Sequence, residues 1–371
     1  MVVKVKAVES SRELAEFIKF PYKLLKRWDA WVPPLVSEVK STLDPQKNPF
    51  FDHARVRLFL ARIDGKVVGR IAAIVDENYI KVQNRAIGQF GFFECVKDTA
   101  VSAALFNTAS GWLREEGMVN MIGPTNPSMN DEIGVLIDAF DIPPAIKMVW
   151  NPPYYPALYE NAGFEKAMDV FAFDLTKETT SERLLRMGDL ILKRSKATFR
   201  NIDMKNIESE IQICRKIYNS AWSENWGFVP WTEAEFNHAA KSLKQIIDPK
   251  IVFIAEVDGK PVGFALALPD LNYAFRRIKN GKLFPFGIVK LLWLSRKIDR
   301  IRILILGVDK EFRNRGIDTA LYYKIWKDGT DSGYKSCEMS WILESNEKMV
   351  RAAEMMGGKR YKTYRVYERS L

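Results

Sequence analysis

Residues 301–325 read IRILILGVDKEFRNRGIDTALYYKI. Ile301, Ile303 and Ile305 alternate with Arg302, Leu304 and Leu306, which is the period of a strand. A polar turn covers 309–314, and a helix follows with Leu321, Ile325 and Trp326 on one side and Lys324 and Lys327 on another. Between strand and helix stands RNRGID, residues 313–318. Gly316 lets backbone N–H groups converge on one point at the start of the helix, where the aligned peptide dipoles favour an anion. Phosphate is the anion such a turn suits. Taken alone, the pattern is equally that of an ordinary strand, loop and helix with a glycine in the turn.

A chain of 371 residues is too long for one typical core, so two domains are expected. Hydrophobic residues make up 47% and aromatics 12%, which excludes a disordered chain. Three cysteines, Cys95, Cys214 and Cys337, lie far apart, which points to a reducing, cytoplasmic setting without a disulfide framework. The N-terminal stretch has no apolar core of a signal peptide, and no run of 18 apolar residues is present. With only His53 and His238, no metal site is expected. The net charge of +10 is unevenly placed: residues 1–176 carry 20 Lys/Arg against 22 Asp/Glu, so the excess lies in the half that holds the phosphate-type turn.

Around this stretch the chain repeats itself. A hairpin over 56–76 turns at Asp64-Gly65, and IVFIAEVDGKPVGFALALPD over 251–270 turns at Asp258-Gly259. At an offset of 194, Ala61, Asp64, Gly65, Lys66, Val68, Gly69, Ala73 and Asp76 recur as Ala255, Asp258, Gly259, Lys260, Val262, Gly263, Ala267 and Asp270. That argues for an internal duplication. The expected domains are 1–176 and 199–371, joined by an amphipathic helix over 177–198 whose apolar side holds Leu184, Leu185, Leu190, Ile191 and Leu192. Residues 21–51, rich in proline and tryptophan, read as an ordered loop, either a lid over the core or a substrate wall. Residues 123–139 bring Asn126, Ser128, Asn130, Asp131 and Glu132 together, either as an Asx-rich turn or as a recognition loop. An insertion over 272–300 carries eight Lys/Arg, one acid and many apolar residues. It either packs on its domain, lies on an anionic membrane, contacts RNA or covers an acyl chain.

The central stretch resembles motif A of the GNAT acyltransferase superfamily, in which a strand ends in a hydrophobic-x-Val pattern before an Arg/Gln-x-x-Gly-x-Gly/Ala turn. Leu306 and Val308 match the strand end, and Arg313 and Gly316 the first and fourth turn positions; Asp318 departs from the usual Gly or Ala. The hairpins look like the family's second and third strands. NPPYYPALYENAGF (151–164) looks like its last helix, with Tyr159 matching a tyrosine that often serves as general acid; the corresponding residue of the second half is Ala353. Phrases such as GPTNPSMNDE and SWILESN resemble a bacterial group of YghO-like proteins assigned to this superfamily.

The resemblance implies an α/β (α+β) fold of two tandem GNAT-like domains, each a mixed, mostly antiparallel sheet flanked by helices. It implies an N-acyltransferase that uses acetyl-CoA or another acyl-CoA on an amine of unknown identity. The cofactor would rest on Leu306, Val308, Arg313, Asn314, Arg315, Gly316, Ile317, Asp318 and Asn346. Alternation in the following strand places Glu338, Ser340, Ile342 and Glu344 on one face, so Glu338 or Glu344 would take the amine's proton. Asn126, Ser128, Asn130, Asp131, Glu132 and Tyr159 would bind substrate. Because the first half lacks the Arg-x-x-Gly turn, it is not expected to bind CoA in the usual way. Two other readings stand beside this one: a Fem-type transferase fed by aminoacyl-tRNA, and a non-catalytic acyl-CoA or partner-binding protein with a decayed site.

Overall fold

The hairpins turn where their dipeptides require it. Asp64 and Gly65 take φ of +47° and +77°, and Asp258 and Gly259 take +51° and +75°, the left-handed pair that tight two-residue turns demand. The two hairpins also share a bulge at matching places, between Ala61 and Arg62 and between Ala255 and Glu256. The offset of 194 therefore holds in the backbone as well as in the residues.

The computed structural model describes residues 2–371, without the side chains of Arg183 and Leu185. In chain order the elements are β1 (Lys4–Ala7), α1 (Ser11–Leu24), α2 (Val36–Thr42), β2 (Ala54–Ile63), β3 (Lys66–Asp76), α3 (Glu77–Gln83), β4 (Ile87–Cys95), α4 (Thr99–Glu115), β5 (Asn120–Gly123), β6 (Thr125–Asn126), β7 (Glu132–Ile133), β8 (Val135–Leu136), α5 (Tyr155–Glu160) and β9 (Glu165–Thr176). They continue as α6 (Glu182–Ser195), β10 (Thr198–Asn201), α7 (Ile207–Ala221), α8 (Glu233–Leu243), β11 (Val252–Val257), β12 (Lys260–Pro269), α9 (Asn272–Phe275) and α10 (Gly287–Ser295). The chain closes with β13 (Arg300–Val308), α11 (Ile317–Asp331), β14 (Ser336–Leu343), α12 (Glu347–Met355) and β15 (Lys359–Ser370).

Two compact units result. Unit 1 holds the chain up to Asp169, with Asn272–Ser295 and Thr363–Leu371; unit 2 holds Val170–Leu271 and Arg296–Lys362. These differ from the expected 1–176 and 199–371 in four ways. The second part of β9 pairs with β14, Val170 opposite Leu343 and Thr176 opposite Ser336, and so completes the sheet of unit 2. The end of β15 pairs with β5, Tyr367 opposite Gly123, and completes the sheet of unit 1. The insertion belongs to unit 1, and α6 packs in unit 2 rather than serving as a free connector. On α6, Leu184, Ile191 and Leu192 join the core, Leu190 is exposed, and the side chain of Leu185 lies outside the described residues.

Unit 1 orders its strands β1-β2-β3-β4-β5-β15 and unit 2 β9-β14-β13-β12-β11-β10. Of these pairings only β4–β5 and β13–β14 are parallel. In unit 1 one face packs on α4 and α5 through Phe90, Phe93, Phe106 and Tyr159, the other on α1 through Phe17 and Ile18. In unit 2, Ile301, Ile303, Cys337 and Met339 pack under α11 through Leu321, Ile325 and Trp326. Local capping follows the sequence: Ser10 and Glu13 form a capping box at α1, and Thr232 and Glu235 another at α8. The loop expected over 21–51 is more regular than its prolines suggest, since α1 runs through Pro21 to Leu24 and α2 follows.

Candidate active site

β13 and β14 run side by side for four residues only, from Arg300 opposite Ser336 to Ile303 opposite Met339. Past Ile303, β13 stays hydrogen-bonded to β12 as far as Val308, but among the described residues its other edge has no strand beside it. Alternate N–H and C=O groups of residues 304–308 therefore face a gap. Leu304, Ile305 and Leu306 are half-buried there, and Gly307 and Val308 are buried. In unit 1 the matching edge is covered. Thr125 O lies 1.6 Å from the place where a Cβ on Gly91 would stand, and the side-chain oxygen of Asn126 accepts from Phe92 N (2.6 Å). The chain after β5 thus stays against β4 and leaves no matching gap.

At the end of β13 the sequence turns into α11 through Gly316, whose φ is +75°. A Cβ there would meet nothing within 4 Å. Arg313, Asn314 and Arg315 are exposed. Arg313 bonds to Glu224 (3.1 Å), Asn314 accepts from Lys348 (3.3 Å), and the guanidinium of Arg315 lies over Phe312 (4.8 Å). Ile317 is buried in the core, so only its backbone can serve a ligand. Asp318 folds onto its own helix and accepts from Thr319 N (2.8 Å), which satisfies one of the free N–H groups of the first turn. Asn346 caps α12 by accepting from Met349 N (3.3 Å).

Where the two strands part, one face of unit 2 carries a buried polar cluster. Glu338, Ser340 and Arg302 are all buried. Arg302 Nε donates to Ser340 Oγ (2.8 Å), Ser340 Oγ donates to Glu338 Oε1 (2.6 Å), and the Tyr361 hydroxyl donates to Glu338 Oε2. Arg300 Nη2 lies 2.8 Å from Asp174 and 3.5 Å from Glu338. Burial opposes the charge of Arg300, but Glu338, Tyr361, Asp174 and Asp270 outweigh it and hold its pKa above the ordinary value. Burial pushes Asp174 up, against the pull of Arg300. Glu344 is half-buried just beyond β14. The expected alternation along β14 breaks between Met339 and Ile342, where the register with β9 shifts. Ile342 consequently joins Met339 in the core instead of sharing a face with Glu338, and Trp341 meets Arg302 (5.3 Å).

The remaining expected residues have other surroundings. Tyr159 is buried in the aromatic core of unit 1, stacked on Tyr367 at 5.1 Å, and burial holds its pKa well above the usual range. Ser128 is buried and bonds Asp131 (2.6 Å), Asn130 N donates to Ser128 Oγ (3.2 Å), and Glu132 pairs opposite Asn126. These side chains lie in unit 1, and Glu338 and the α11 turn in unit 2. Ala353 faces the core, and burial also raises Tyr322 in that core.

Two features of the site escape a reading by periodicity. Arg302 was visible as a lone charge in the run IRILIL, and its partners Glu338 and Ser340 stand far away in the chain. The second is an aromatic wall at the end of α7 and just beyond it. Tyr218 stacks on Trp222 (4.5 Å), with Phe228 at 6.3 Å and Trp231 at 6.4 Å from Tyr218. Trp222 presses on Gly307 of the open edge, where a Cβ would come within 2.3 Å of the ring. The segment WSENWGFVPW (222–231) carried the signal in its composition.

A model of the Acetyltransferase (GNAT) family matches residues 211–357, from α7 to the end of α12. The chain is also 40% identical over 374 residues to a protein of Caulobacter vibrioides named bacterial ceramide synthase, covering 98% of this chain and 96% of that protein. The chain belongs to the GNAT acyltransferase family. It is 36% identical over 375 residues to protein YghO of Escherichia coli strain K12, covering 99% of this chain and 95% of YghO. Among solved structures it is similar to a tandem GNAT protein from the clavulanic acid biosynthesis pathway, with a TM-score of 0.58 at 10% identity over 100% of this chain and 98% of that one. A GCN5-related N-acetyltransferase from Sphaerobacter thermophilus gives 0.55 at 13% identity, covering 99% of this chain and 95% of that one. At such identities the likeness concerns the fold.

Proposed function

We propose that this protein transfers an acyl group from an acyl-CoA to a lipid amine, with a long-chain amino alcohol as the acceptor. The observation that carries the reading is the open edge of β13 past Ile303, continuous with the left-handed turn at Gly316. The turn and its two arginines would hold the diphosphate, and edge N–H groups near Leu306 and Val308 the thioester carbonyl. The amine nitrogen attacks that carbonyl, a C–N bond forms, the C–S bond breaks, and the CoA thiolate takes a proton. The amine's proton passes to Glu338, directly or through Tyr361, which hydrogen-bonds to it. Tyr361 would thus bring a phenol to a site whose last helix has Ala353. Glu344 is the second candidate base. In unit 1, Asn126 to Glu132 and Tyr159 serve its own packing, so the substrate role expected of them is not carried into this reading. The halves would descend from a duplication in which only the second kept the cofactor turn.

Two observations favour a lipid over a small amine. The wall of Tyr218, Trp222, Phe228 and Trp231 offers an apolar surface beside the open edge. A ceramide, which the name of the Caulobacter relative specifies, is an amide of a fatty acid and a long-chain amino alcohol. The donor would then be longer than acetyl-CoA, and the reaction would take place in the cytoplasm, on the CoA pool.

Calorimetric titration with acetyl-, octanoyl- and myristoyl-CoA tests the donor, on the wild type and on Gly316→Trp. The new indole enters open space, so the variant folds with about 1–2 kcal/mol of backbone strain and loses binding. Release of CoA thiol with sphinganine, compared with spermidine and lysine, tests the acceptor. If no acyl-CoA binds, the acyltransferase reading fails, and transfer from aminoacyl-tRNA or partner binding without turnover takes its place. Release with the water-soluble amines alone would overturn the lipid acceptor.

A further inference from the structure

Residues 272–295 fold as two short helices, α9 and α10, anchored within unit 1 by polar contacts. Asn272 Nδ2 donates to Pro144 O (3.0 Å) and Ala145 O (2.9 Å), Arg276 Nε donates to Asp29 O (3.1 Å), and Val36 N donates to Gly281 O (2.9 Å). Ile278 and Leu294 are buried beneath. The opposite side is apolar and exposed: Phe284 is 76% exposed, Phe286 82%, Val289 66%, Leu292 62% and Trp293 56%. Residues 286, 289 and 293, with 292, form one stripe at helical spacing, so α10 turns an apolar stripe outward where a surface helix ordinarily carries charge.

The charges lie beside that stripe. Arg276, Arg277, Lys279, Lys282 and Lys290 are exposed, none forms an ion pair among the described residues, and residues 272–295 contain no Asp or Glu. Four more cations, Lys23, Lys26, Arg27 and Lys97, line a cavity of about 350 Å³ in the same unit. Two residues from Arg27 is Asp29, whose carbonyl Arg276 holds.

We infer that the 272–295 segment seats this protein on an anionic lipid bilayer, with Phe284, Phe286, Val289, Leu292 and Trp293 in the acyl–headgroup boundary and the flanking cations among the headgroups. Apolar side chains ringed by unpaired cations match a surface that is apolar inside and anionic outside. A second copy of the chain would oppose the same cations across the contact, and protein interfaces are depleted in lysine. Single-stranded nucleic acid would stack on aromatics and leave Val289 and Leu292 without a role. Among the described residues no helix is long and apolar enough to cross a membrane, so the segment would lie on the bilayer rather than span it. Such seating would expose the enzyme to an acceptor with an alkyl chain, but it does not depend on acyl transfer: a protein that bound no acyl-CoA would still bind vesicles.

Flotation of the full chain with vesicles tests this, using phosphatidylcholine alone and phosphatidylcholine with about a third phosphatidylglycerol. The wild type floats with the anionic vesicles, and salt weakens the binding. F284S/F286S/L292S/W293S lowers partitioning at least about tenfold. K279Q/K282Q/K290Q lowers it about fivefold for each charge removed and weakens the preference for anionic lipid accordingly. All these side chains are exposed, so both variants keep the wild-type thermal midpoint and circular dichroism. A wild type that stays in solution with anionic vesicles overturns the inference, as does a serine variant that floats like the wild type. A wild-type dimer that the serine substitutions convert to monomer makes the patch a self-interface and likewise overturns it.

Discussion

Glu338→Ala tests whether the carboxylate at the parting of β13 and β14 is mainly a structural counter-charge. It is buried, accepts hydrogen bonds from Ser340 and Tyr361, and lies 3.8 Å from Arg302 Nε and 3.5 Å from Arg300 Nη2. Truncation affects the two arginines differently. Arg300 keeps Asp174 at 2.8 Å, whereas Arg302, itself buried, loses the Glu338 carboxylate and keeps the Ser340 hydroxyl. Removing one partner from a buried ion pair costs about 3–5 kcal/mol, because the remaining charge cannot reach water. In a unit of roughly 170 residues each kcal/mol moves the melting point by about 2–4 °C, so the midpoint should fall by about 6–20 °C. Glu338→Gln keeps the shape and one acceptor oxygen and should cost less, about 1.5–3 kcal/mol. Thermal unfolding followed by circular dichroism measures both. If Glu338→Ala melts within about 2 °C of the wild type, the buried-counter-charge reasoning is refuted. Turnover of Glu338→Gln, well below its midpoint, addresses the second role: proton transfer through this carboxylate would lower kcat while leaving KM for the acyl-CoA unchanged.

Gly307→Ala places a Cβ within 2.3 Å of the Trp222 ring and should cost about 1–3 kcal/mol in urea unfolding. Trp222→Leu in the same chain should recover most of that, and failure to recover would mean that the backbone, not the ring, is strained. Asp169 receives hydrogen bonds from Arg365 at 2.8 and 3.0 Å and lies 3.2 Å from Lys166; burial raises its pKa, but these cations outweigh burial and hold it below the usual carboxylate range. A folded pKa below the unfolded value of about 3.9 stabilises above that pH, and the gain is lost as pH falls through the folded value. Asp169→Asn should therefore cost about 1–2 kcal/mol at neutral pH and nothing in strong acid, where the two unfolding curves converge. A gap that persists in acid would show that the cost is steric.

Much of the fold was legible because it is local. The turns at Asp64-Gly65 and Asp258-Gly259, the left-handed Gly316 and the caps at Ser10 and Asn346 each depend on a residue's own φ or on neighbours three residues away. The turn over 313–318 is legible for the same reason, since its signal sits within six residues. The open edge beside it has no such local signal, because where β14 stops following β13 depends on what each strand packs against.

What the residues determine by themselves is which segments are strands and helices, and where a helix start can receive an anion. Tertiary structure alone decided which strand completes which sheet. β9 and β15 are both twelve-residue strands with buried aromatic positions, and alternation carries no address for a partner, so their exchange between the units could not be read along the chain. Tertiary structure likewise made Glu338 a buried counter-charge to Arg302, two residues 36 apart in the chain that a parallel register sets opposite each other. It also closed the edge of β4 with Thr125 and Asn126, and turned the apolar side of α10 outward. In each case the deciding free energy lies in contacts between residues distant along the chain, and periodicity reports only how one segment divides its faces.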